Sequence, residues 1–221
     1  LMGDNDVVIN AAGSMPGDLQ CLWQAKTPVQ YHLEYAFSTM GYEIPAALGV
    51  KLALPESEVV AIVGDGTYQM LPMELATIAQ EGVKVIVVLV QNHGFASIGS
   101  LSESLGSQRF GTSYRYRGTT GRLDGERLPV DLAANAASLG ARVIRANDAT
   151  DFANAIKEAK ANAATTVIHV ETEPLVSAPD SRSWWDVPVS EVSSLDSTQE
   201  AYRNYSRWKT LQRSLIRPWG P

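Results

Sequence analysis

The chain has 221 residues, of which 45% are apolar and 19% charged, a composition typical of a globular protein with one sizeable core. The formal net charge of −6 and the absence of Lys/Arg runs argue against nucleic acid and against a membrane surface as partners. No run approaches the roughly 18 apolar residues of a membrane span, and the single cysteine, Cys21, excludes an internal disulfide. We therefore expect a protein of the reducing cytoplasm.

Short apolar runs alternate along the chain with segments of helical character, which predicts an α/β fold: an open, mainly parallel sheet with helices on both faces. Strands are predicted at residues 7–10, 58–63, 83–90, 142–145 and 165–171, and helices at 42–54, 69–81, 130–139 and 150–161. Residues 85–90 are continuously apolar, as expected of a central strand that is buried on both faces. Gly82 and Gly140 stand where helix C-caps are expected, and Asp148 or Thr150 is expected to cap the last helix.

Two stretches depart from this alternation. Residues 97–128 are rich in Gly, Ser, Arg and Tyr and form an unusually long connection, a kind that is commonly functional or disordered. From residue 174 onward the chain is rich in Pro and Ser and carries Trp184 and Trp185, an adjacent pair that we expect to dock on another surface. We therefore expect a domain at 1–173 and a C-terminal arm at 174–221. Whether the arm closes over a site or covers its own domain is left open.

Two turns at the carboxyl ends of predicted strands carry the chemistry. The first reads Gly64-Asp65-Gly66-Thr67 and the second, at residues 91–94, reads Gln-Asn-His-Gly. Glycines allow close backbone approach, and the helix that follows the first turn presents N–H groups to an anion. Asp65 and Asn92 each offer a hard oxygen, a good partial shell for Mg²⁺ beside a phosphate. Gly-Asp-Gly alone is equally typical of a tight turn with a capping aspartate.

The two turns together resemble the signature of thiamine-diphosphate enzymes, in which Gly-Asp-Gly is followed by a helix, a strand and Asn-Asn or a variant. Asp65 and Asn92 are 27 residues apart, as in that signature. The resemblance implies that Asp65, Asn92 and the Gly94 carbonyl hold Mg²⁺ bridged to the diphosphate of the cofactor.

Residues 39–49 resemble the segment of these enzymes that cradles the aminopyrimidine ring. The resemblance implies that Met40 is the apolar wedge beneath the cofactor, that its N–H faces the pyrimidine, and that the Ser38 carbonyl accepts from the 4′-amino group. The alternative is that Met40 fills the core, as Met often does. Gly13 and Ser14 resemble the turn that meets the diphosphate, although a plain glycine turn is the other interpretation. The candidate cofactor residues are thus Gly13, Ser14, Ser38, Met40, Gly64, Asp65, Gly66, Thr67, Asn92 and Gly94.

Further segments, at 11–20, 31–35, 110–112, 114–117 and 183–185, are together similar to the 3D-(3,5/4)-trihydroxycyclohexane-1,2-dione hydrolases of myo-inositol catabolism. This resemblance implies a hydrolase that cleaves a carbon–carbon bond of a polyhydroxylated cyclic 1,2-diketone to give 5-deoxyglucuronate. Acetolactate-synthase-like carboligases and 2-oxo-acid decarboxylases share the same cofactor residues and remain alternatives. A non-catalytic module that binds Mg-diphosphate is the alternative from another class. A nicotinamide-binding fold is disfavoured because no Gly-x-Gly-x-x-Gly follows the first strand.

Several other side chains have an open role. His32 and Glu34 precede the pyrimidine segment and are candidates for substrate contact or proton transfer, or else form a structural pair. His93 is expected to line its loop and His169 to be structural. The arginines at 115 and 117 either meet an anionic product or are solvated.

The resemblance also implies what this chain does not carry. The glutamate that protonates the pyrimidine belongs, in these enzymes, to a separate pyrimidine-binding domain on a second subunit, so a homo-oligomer is expected. The chain has neither that domain nor the usual central domain, and Leu1 is not an initiator methionine. We expect these 221 residues to be part of a longer enzyme and to be inactive alone.

Overall fold

Six parallel strands form one sheet in the structure, a computed structural model that describes residues 1–176 and 186–213. The strands are β1 (Val7–Asn10), β2 (Tyr31–Leu33), β3 (Val59–Gly64), β4 (Ile86–Gln91), β5 (Arg142–Ala146) and β6 (Thr166–Glu171). They lie in the order β2-β1-β3-β4-β6-β5, and every neighbouring pair is parallel. The predicted parallel α/β sheet is confirmed. The strand β2 was not predicted, because Tyr31-His32-Leu33 is short and half polar.

Eight helices lie within the described residues. They are α1 (Met15–Leu22), α2 (Glu43–Ala53), α3 (Asp65–Tyr68), α4 (Glu74–Glu81), α5 (Ala96–Ser104), α6 (Leu132–Ser138), α7 (Ala149–Ala161) and α8 (Asp196–Leu211). The predictions of α2, α6 and α7 are accurate to within two residues at either end. The predicted helix 69–81 is wrong in its first half, because Pro72 cannot continue a helix from the residues before it and α4 begins only at Glu74.

The connection predicted at 97–128 is not a structureless loop. Its first part is α5; residues 112–114 then pair with 93–95, and residues 114–116 pair with 125–128. Antiparallel bridges join Gly94 to Ser113 and Arg115 to Arg127. The Tyr114 N–H donates to the His93 carbonyl over 2.9 Å. Backbone hydrogen bonds therefore join the long connection to the residues after β4.

Alternate side chains of the strands enter two apolar cores, one on each face of the sheet. On one face, Val87 and Leu89 of β4 pack with residues of α2, α3, α4 and α6. On the other, Ile86 and Val88 pack mainly with α7. A strand that is covered on both faces needs no polar face, which explains the continuous apolar run of β4.

The helix ends follow the predicted capping residues. Gly82 ends α4 in the left-handed conformation, with φ of +64°, and Gly140 follows the end of α6 with φ of +95°. Asp148 is the N-cap of α7, where its carboxylate accepts from the Asp151 N–H over 2.8 Å. Of the two predicted capping residues, Asp148 therefore performs the role and Thr150 does not.

The predicted arm contains α8, which its polar composition had concealed. The hydroxyls of Ser197 and Thr198 donate to the Gly106 carbonyl over 2.6 and 2.9 Å, so this helix is joined to the turn after α5. Ser183, Trp184 and Trp185 lie outside the described residues, and the boundary at residue 173 stays a prediction. Among the described helices, none is long and apolar enough to cross a membrane.

Alanine substitutions at two glycines, each with open space around its Cβ position, should change the free energy of unfolding in opposite directions. Gly82→Ala should lower the free energy of unfolding by about 1 kcal/mol, because alanine disfavours positive φ. Gly49→Ala, on the exposed side of α2 with nothing near the added Cβ, should raise it by about 0.5–1 kcal/mol. Urea unfolding measures both. A loss of stability in Gly49→Ala would contradict this account.

Candidate active site

The side chain of Asp65 occupies the turn between β3 and α3 and is 1% exposed. Its Oδ2 accepts from the N–H groups of Asn92 and Gly94, each over 3.1 Å, and its Oδ1 accepts from the Gly66 N–H over 2.9 Å. Burial raises the pKa of Asp65, and backbone N–H groups led by that of Gly94 oppose the rise. Since a carboxylate offers about four acceptor positions, three donors leave room for a further ligand.

The side-chain oxygen of Asn92 is buried and has no hydrogen-bond partner among the described residues. Such an atom is costly unless a ligand satisfies it. Asn92 follows β4, and its own N–H contacts Asp65, so a carboxylate and an amide lie together. No group of three His, Cys, Asp or Glu side chains able to hold a metal occurs in the described part of the chain. A site with only a few hard oxygen donors suits Mg²⁺, because this ion usually takes its other ligands from water molecules or phosphate oxygens.

Close backbone approach is visible at Gly94. A Cβ on this residue would lie 2.2 Å from the Thr112 carbonyl oxygen and 2.9 Å from the Ser113 Cα. A larger side chain would therefore push the segment 112–113 away from the end of β4. The absence of a side chain keeps the backbone of Gly94, including the predicted metal-binding carbonyl, beside Asp65.

Met40 lies against the Gly-Asp-Gly turn. A Cβ on Gly66 would be 3.5 Å from the Met40 Cε and 2.9 Å from two ring carbons of Phe95. Met40 is 37% exposed, more than a methionine that only fills a core would be. The structure thus brings an apolar side chain with free surface to the edge of the candidate metal site.

The remaining cofactor candidates lie on neighbouring loops. Ser38 has a φ of +50°, and its hydroxyl contacts the Ala11 carbonyl over 3.4 Å, so the pyrimidine segment lies beside the end of β1. Gly13 has a φ of +99° with open space around its Cβ position. Ser14 precedes α1 without capping it through its side chain, which leaves its hydroxyl and the N–H groups of Met15 and Gly17 open to an anion, while Pro16 between them has no N–H.

His32 and Glu34 each have a partner of their own rather than each other. The His32 Nε2 and the Tyr42 hydroxyl are 2.7 Å apart. Glu34 accepts from the N–H groups of Thr39 and Phe37 over 2.6 and 3.1 Å, and these bonds, Thr39 first, lower the pKa of its carboxyl. An ionised Glu34 that accepts twice from the pyrimidine segment fits a role in holding that segment.

Gln91 links the two histidines at the end of the sheet. Its Oε1 lies 2.8 Å from the His169 Nε2, and its Nε2 lies 3.2 Å from the His93 Nδ1. His169 is buried and structural, as predicted from its strand, and His93 lines the loop with φ of +62°.

The two arginines predicted either to meet an anionic product or to be solvated bind carbonyls of their own connection. Arg115 donates to the Gly125 carbonyl over 2.9 Å. Arg117 likewise donates to the Gly121 carbonyl.

Three residues near the site were not singled out from the sequence. Phe95 and Tyr114 pack edge to face with ring centroids 5.7 Å apart. Burial, followed by the charge of Asp65, raises the pKa of Tyr114 to about 12. Glu43 is buried and joined to Thr67. An acidic residue between Tyr42 and Ile44 in an otherwise apolar segment was the available signal for Glu43.

Comparison with known proteins identifies this arrangement. The sequence profile described as "Thiamine pyrophosphate enzyme, C-terminal TPP binding domain" matches residues 11–170. The chain belongs to this family. The predicted fold and cofactor class are those of this thiamine-diphosphate-binding domain family, and the matched residues run from the loop after β1 through β6.

Curated relatives of this thiamine-diphosphate-binding domain are hydrolases by name. The chain is 42% identical over 215 residues to 3D-(3,5/4)-trihydroxycyclohexane-1,2-dione hydrolase 2 of Bacillus cereus (strain ZK / E33L), covering 97% of the chain and 33% of the relative. It is 42% identical over 205 residues to a hydrolase of the same name from Bacillus anthracis (strain CDC 684 / NRRL 3495), covering 92% of the chain and 32% of the relative. The chain spans about a third of the length of these relatives.

Solved structures agree on the fold. A thiamine-diphosphate-dependent 4-hydroxybenzoylformate decarboxylase of Rhodococcus jostii RHA1 is 25% identical with a TM-score of 0.64, over 78% of this chain and 30% of that one. Benzoylformate decarboxylase from Polynucleobacter necessarius is 22% identical with a TM-score of 0.63, over 78% of this chain and 31% of that one.

The buried His169 makes the stability of this domain sensitive to acid. Burial, then the charge of Arg145, lowers the pKa of His169 in the folded state. As the pH falls below about 6.5, the unfolded chain takes up a proton that the folded chain resists, so the free energy of unfolding should fall. His169→Gln should flatten this fall between about pH 6.5 and pH 5, as followed by urea unfolding. An equally steep fall in the variant would contradict the assignment.

Proposed function

We propose that this chain is the cofactor-diphosphate-binding domain of a hydrolase that cleaves a carbon–carbon bond of a polyhydroxylated cyclic 1,2-diketone. The buried Asp65 carboxylate beside the unpartnered Asn92 oxygen carries the cofactor part of this proposal, because hard oxygen donors of this kind suit a divalent cation that also binds phosphate. The 42% identity to trihydroxycyclohexane-1,2-dione hydrolases over nearly the whole chain supports the reaction. The product would be 5-deoxyglucuronate, and a cytoplasmic location remains part of the proposal.

Each loop would have its own part in holding the cofactor. Asp65, Asn92 and the Gly94 carbonyl would bind Mg²⁺ and so place the diphosphate. Gly13 and Ser14 would meet the diphosphate from the other side, at the first turn of α1. When bound, thiamine diphosphate supplies a centre that stabilises negative charge on a carbonyl carbon, and the protein supplies position and electrostatics.

Met40 and its neighbours would orient the rings of the cofactor. Met40 stands above Gly66 with free apolar surface, which fits the proposed wedge. Ser38, two residues earlier, would direct its carbonyl to the pyrimidine. Glu34 holds the turn from which both residues project, and this bracing role is favoured over proton transfer because its oxygens already accept two N–H groups.

An exposed apolar surface adjoins the pyrimidine segment. We name it the apolar rim: Tyr35, Phe37, Met70, Leu71 and Met73, with Phe37 88% exposed. Met70 and Leu71 lie against the pyrimidine segment at Gly41, where a Cβ would lie 3.2 Å from the Leu71 Cβ and 3.3 Å from the Met70 Cβ, and Tyr35 and Phe37 precede that segment in the chain. Clustered exposed apolar side chains mark interaction surfaces. The rim supports the proposal that a pyrimidine-binding domain of a second subunit docks here and completes the site in a homo-oligomer.

The metal assignment is tested by Asp65→Ala in the protein assembled with its pyrimidine-binding domain. The variant should lose Mg-dependent binding of thiamine diphosphate, because the carboxylate both binds the cation and orders the Asn92 and Gly94 backbone. Isothermal calorimetry measures the affinity. Asp148→Ala is the control: it should lower stability by about 1 kcal/mol through the lost helix cap and leave the affinity intact. Unchanged affinity in Asp65→Ala would refute the metal site.

The wedge assignment is tested by Met40→Ala in the same assembled protein. Diphosphate anchoring should persist while exchange of the C2 proton of the bound cofactor slows, because the rings lose their support. Proton exchange is followed by nuclear magnetic resonance after acid quench. Met2→Ala, which removes a partly buried methionine from the core against α7, is the control and should exchange at the wild-type rate. A wild-type rate in Met40→Ala would mean that Met40 has no such role.

A further inference from the structure

Glu43 is fully buried although it carries an acidic side chain. It is the first residue of α2, the helix that connects β2 to β3, and it is 0% exposed. Burial raises the pKa of its carboxyl, against the hydrogen bonds that it accepts. A carboxyl group removed from water is costly unless it is well bonded, so its partners indicate what it does.

Those partners lie on the loops that carry the cofactor candidates. The Glu43 Oε1 accepts from the Ala12 N–H over 3.1 Å, and its Oε2 accepts from the Thr67 hydroxyl over 3.1 Å. The same Thr67 hydroxyl oxygen accepts from the Gly41 N–H over 2.7 Å. One continuous chain of three hydrogen bonds therefore joins three segments that are far apart in sequence.

The residues joined by these hydrogen bonds lie next to candidate binding groups. Ala12 precedes Gly13, Gly41 follows Met40, and Thr67 lies two residues after Asp65. The loops after β1 and β3 flank the point where the strand order reverses, since β2 lies on one side of β1 and β3 on the other. In open parallel sheets, ligands bind in the crevice at such a point.

We propose that Glu43 is a positioning residue. Through Thr67, it sets the distances between the turn at Gly13, the segment at Met40 and the turn at Asp65. The inference deepens the proposed function and rests on it. Glu43 itself is buried beneath the loops, so it acts through Ala12, Thr67 and Gly41 rather than by contact with the cofactor. The competing explanation is that the network stabilises the fold and has no particular effect on the site.

A second threonine, just before β6, separates these explanations. The Thr165 hydroxyl accepts from the Val85 N–H over 3.2 Å and donates to the Val83 carbonyl over 3.1 Å, so it makes the same two kinds of bond as Thr67. Thr165 is also buried, but it precedes β6 and lies at the amino end of the strands, away from the loops of the site. Thr67→Val and Thr165→Val therefore make the same change in side-chain volume, and each removes one accepted and one donated bond, the donated one to a carboxyl oxygen in Thr67 and to a backbone carbonyl in Thr165.

The experiment compares both variants as the protein assembled with its pyrimidine-binding domain. Melting temperatures without cofactor should fall in both, because each loses two buried hydrogen bonds. The dissociation constant for thiamine diphosphate at saturating Mg²⁺ should rise about tenfold in Thr67→Val and stay within about twofold of wild type in Thr165→Val. Equal affinities in the two variants would overturn the proposal.

Substitutions of Glu43 give an independent test if Thr67→Val fails to fold. Glu43→Gln keeps an acceptor for the Ala12 N–H and should weaken binding less than Glu43→Leu, which removes both acceptors. The double variant Glu43→Gln/Thr67→Val should bind thiamine diphosphate no more weakly than whichever single variant has the lower affinity, because both substitutions act on one chain of hydrogen bonds. Wild-type affinity in Glu43→Leu would overturn the positioning role. If the wild-type protein itself does not bind thiamine diphosphate, the proposed function fails, and this inference with it.

Discussion

A carboxylate that is taken out of water has to be held by other groups, and for Asp65 these groups are backbone N–H donors. Two of them come from the residues after β4, so the carboxylate can be satisfied only if the ends of β3 and β4 are in register. The sheet provides this register by pairing Gly64 with Val90. The position of Asn92 and of the Gly94 carbonyl therefore depends on one buried side chain and the two strands that it connects.

The rest of the site is arranged around this connection in layers. Glu43 and Thr67 connect the Gly64–Thr67 turn to the loops after β1 and before α2, while Phe95 and Tyr114 lie beside it on the side of the long connection. Polar groups with few solvent contacts thus determine the geometry beneath, and apolar groups with free surface, Met40 and the apolar rim, face outward. Such a distribution fits the proposal that a domain of a second subunit completes the site.

The sequence predicted those parts of the fold that depend on local pattern. Strands β1, β3 and β4 are mostly apolar runs, β5 and β6 have apolar centres, and the glycine after α4 marks its end, so each can be recognised from a few residues. Short or interrupted elements were missed: β2 has three residues, and the polar α8 has little apolar surface to reveal it. The proximity of Asp65 and Asn92 could be predicted, because both follow strands of a parallel sheet and their interval resembles that of thiamine-diphosphate enzymes. The bonds of Glu43 could not be predicted, since they join loops whose approach depends on the whole sheet.

The contact between Gly94 and Thr112 has a consequence for how this domain can vary. Connections on protein surfaces commonly accept insertions. Here residues 112–114 pair with 93–95 and residues 114–116 pair with 125–128, so one residue inserted between Ser113 and Arg115 would shift one pairing against the other by one position. The side chains on one side of the insertion would then change faces relative to those on the other. The length of the paired segment is therefore constrained, although it lies within a surface connection.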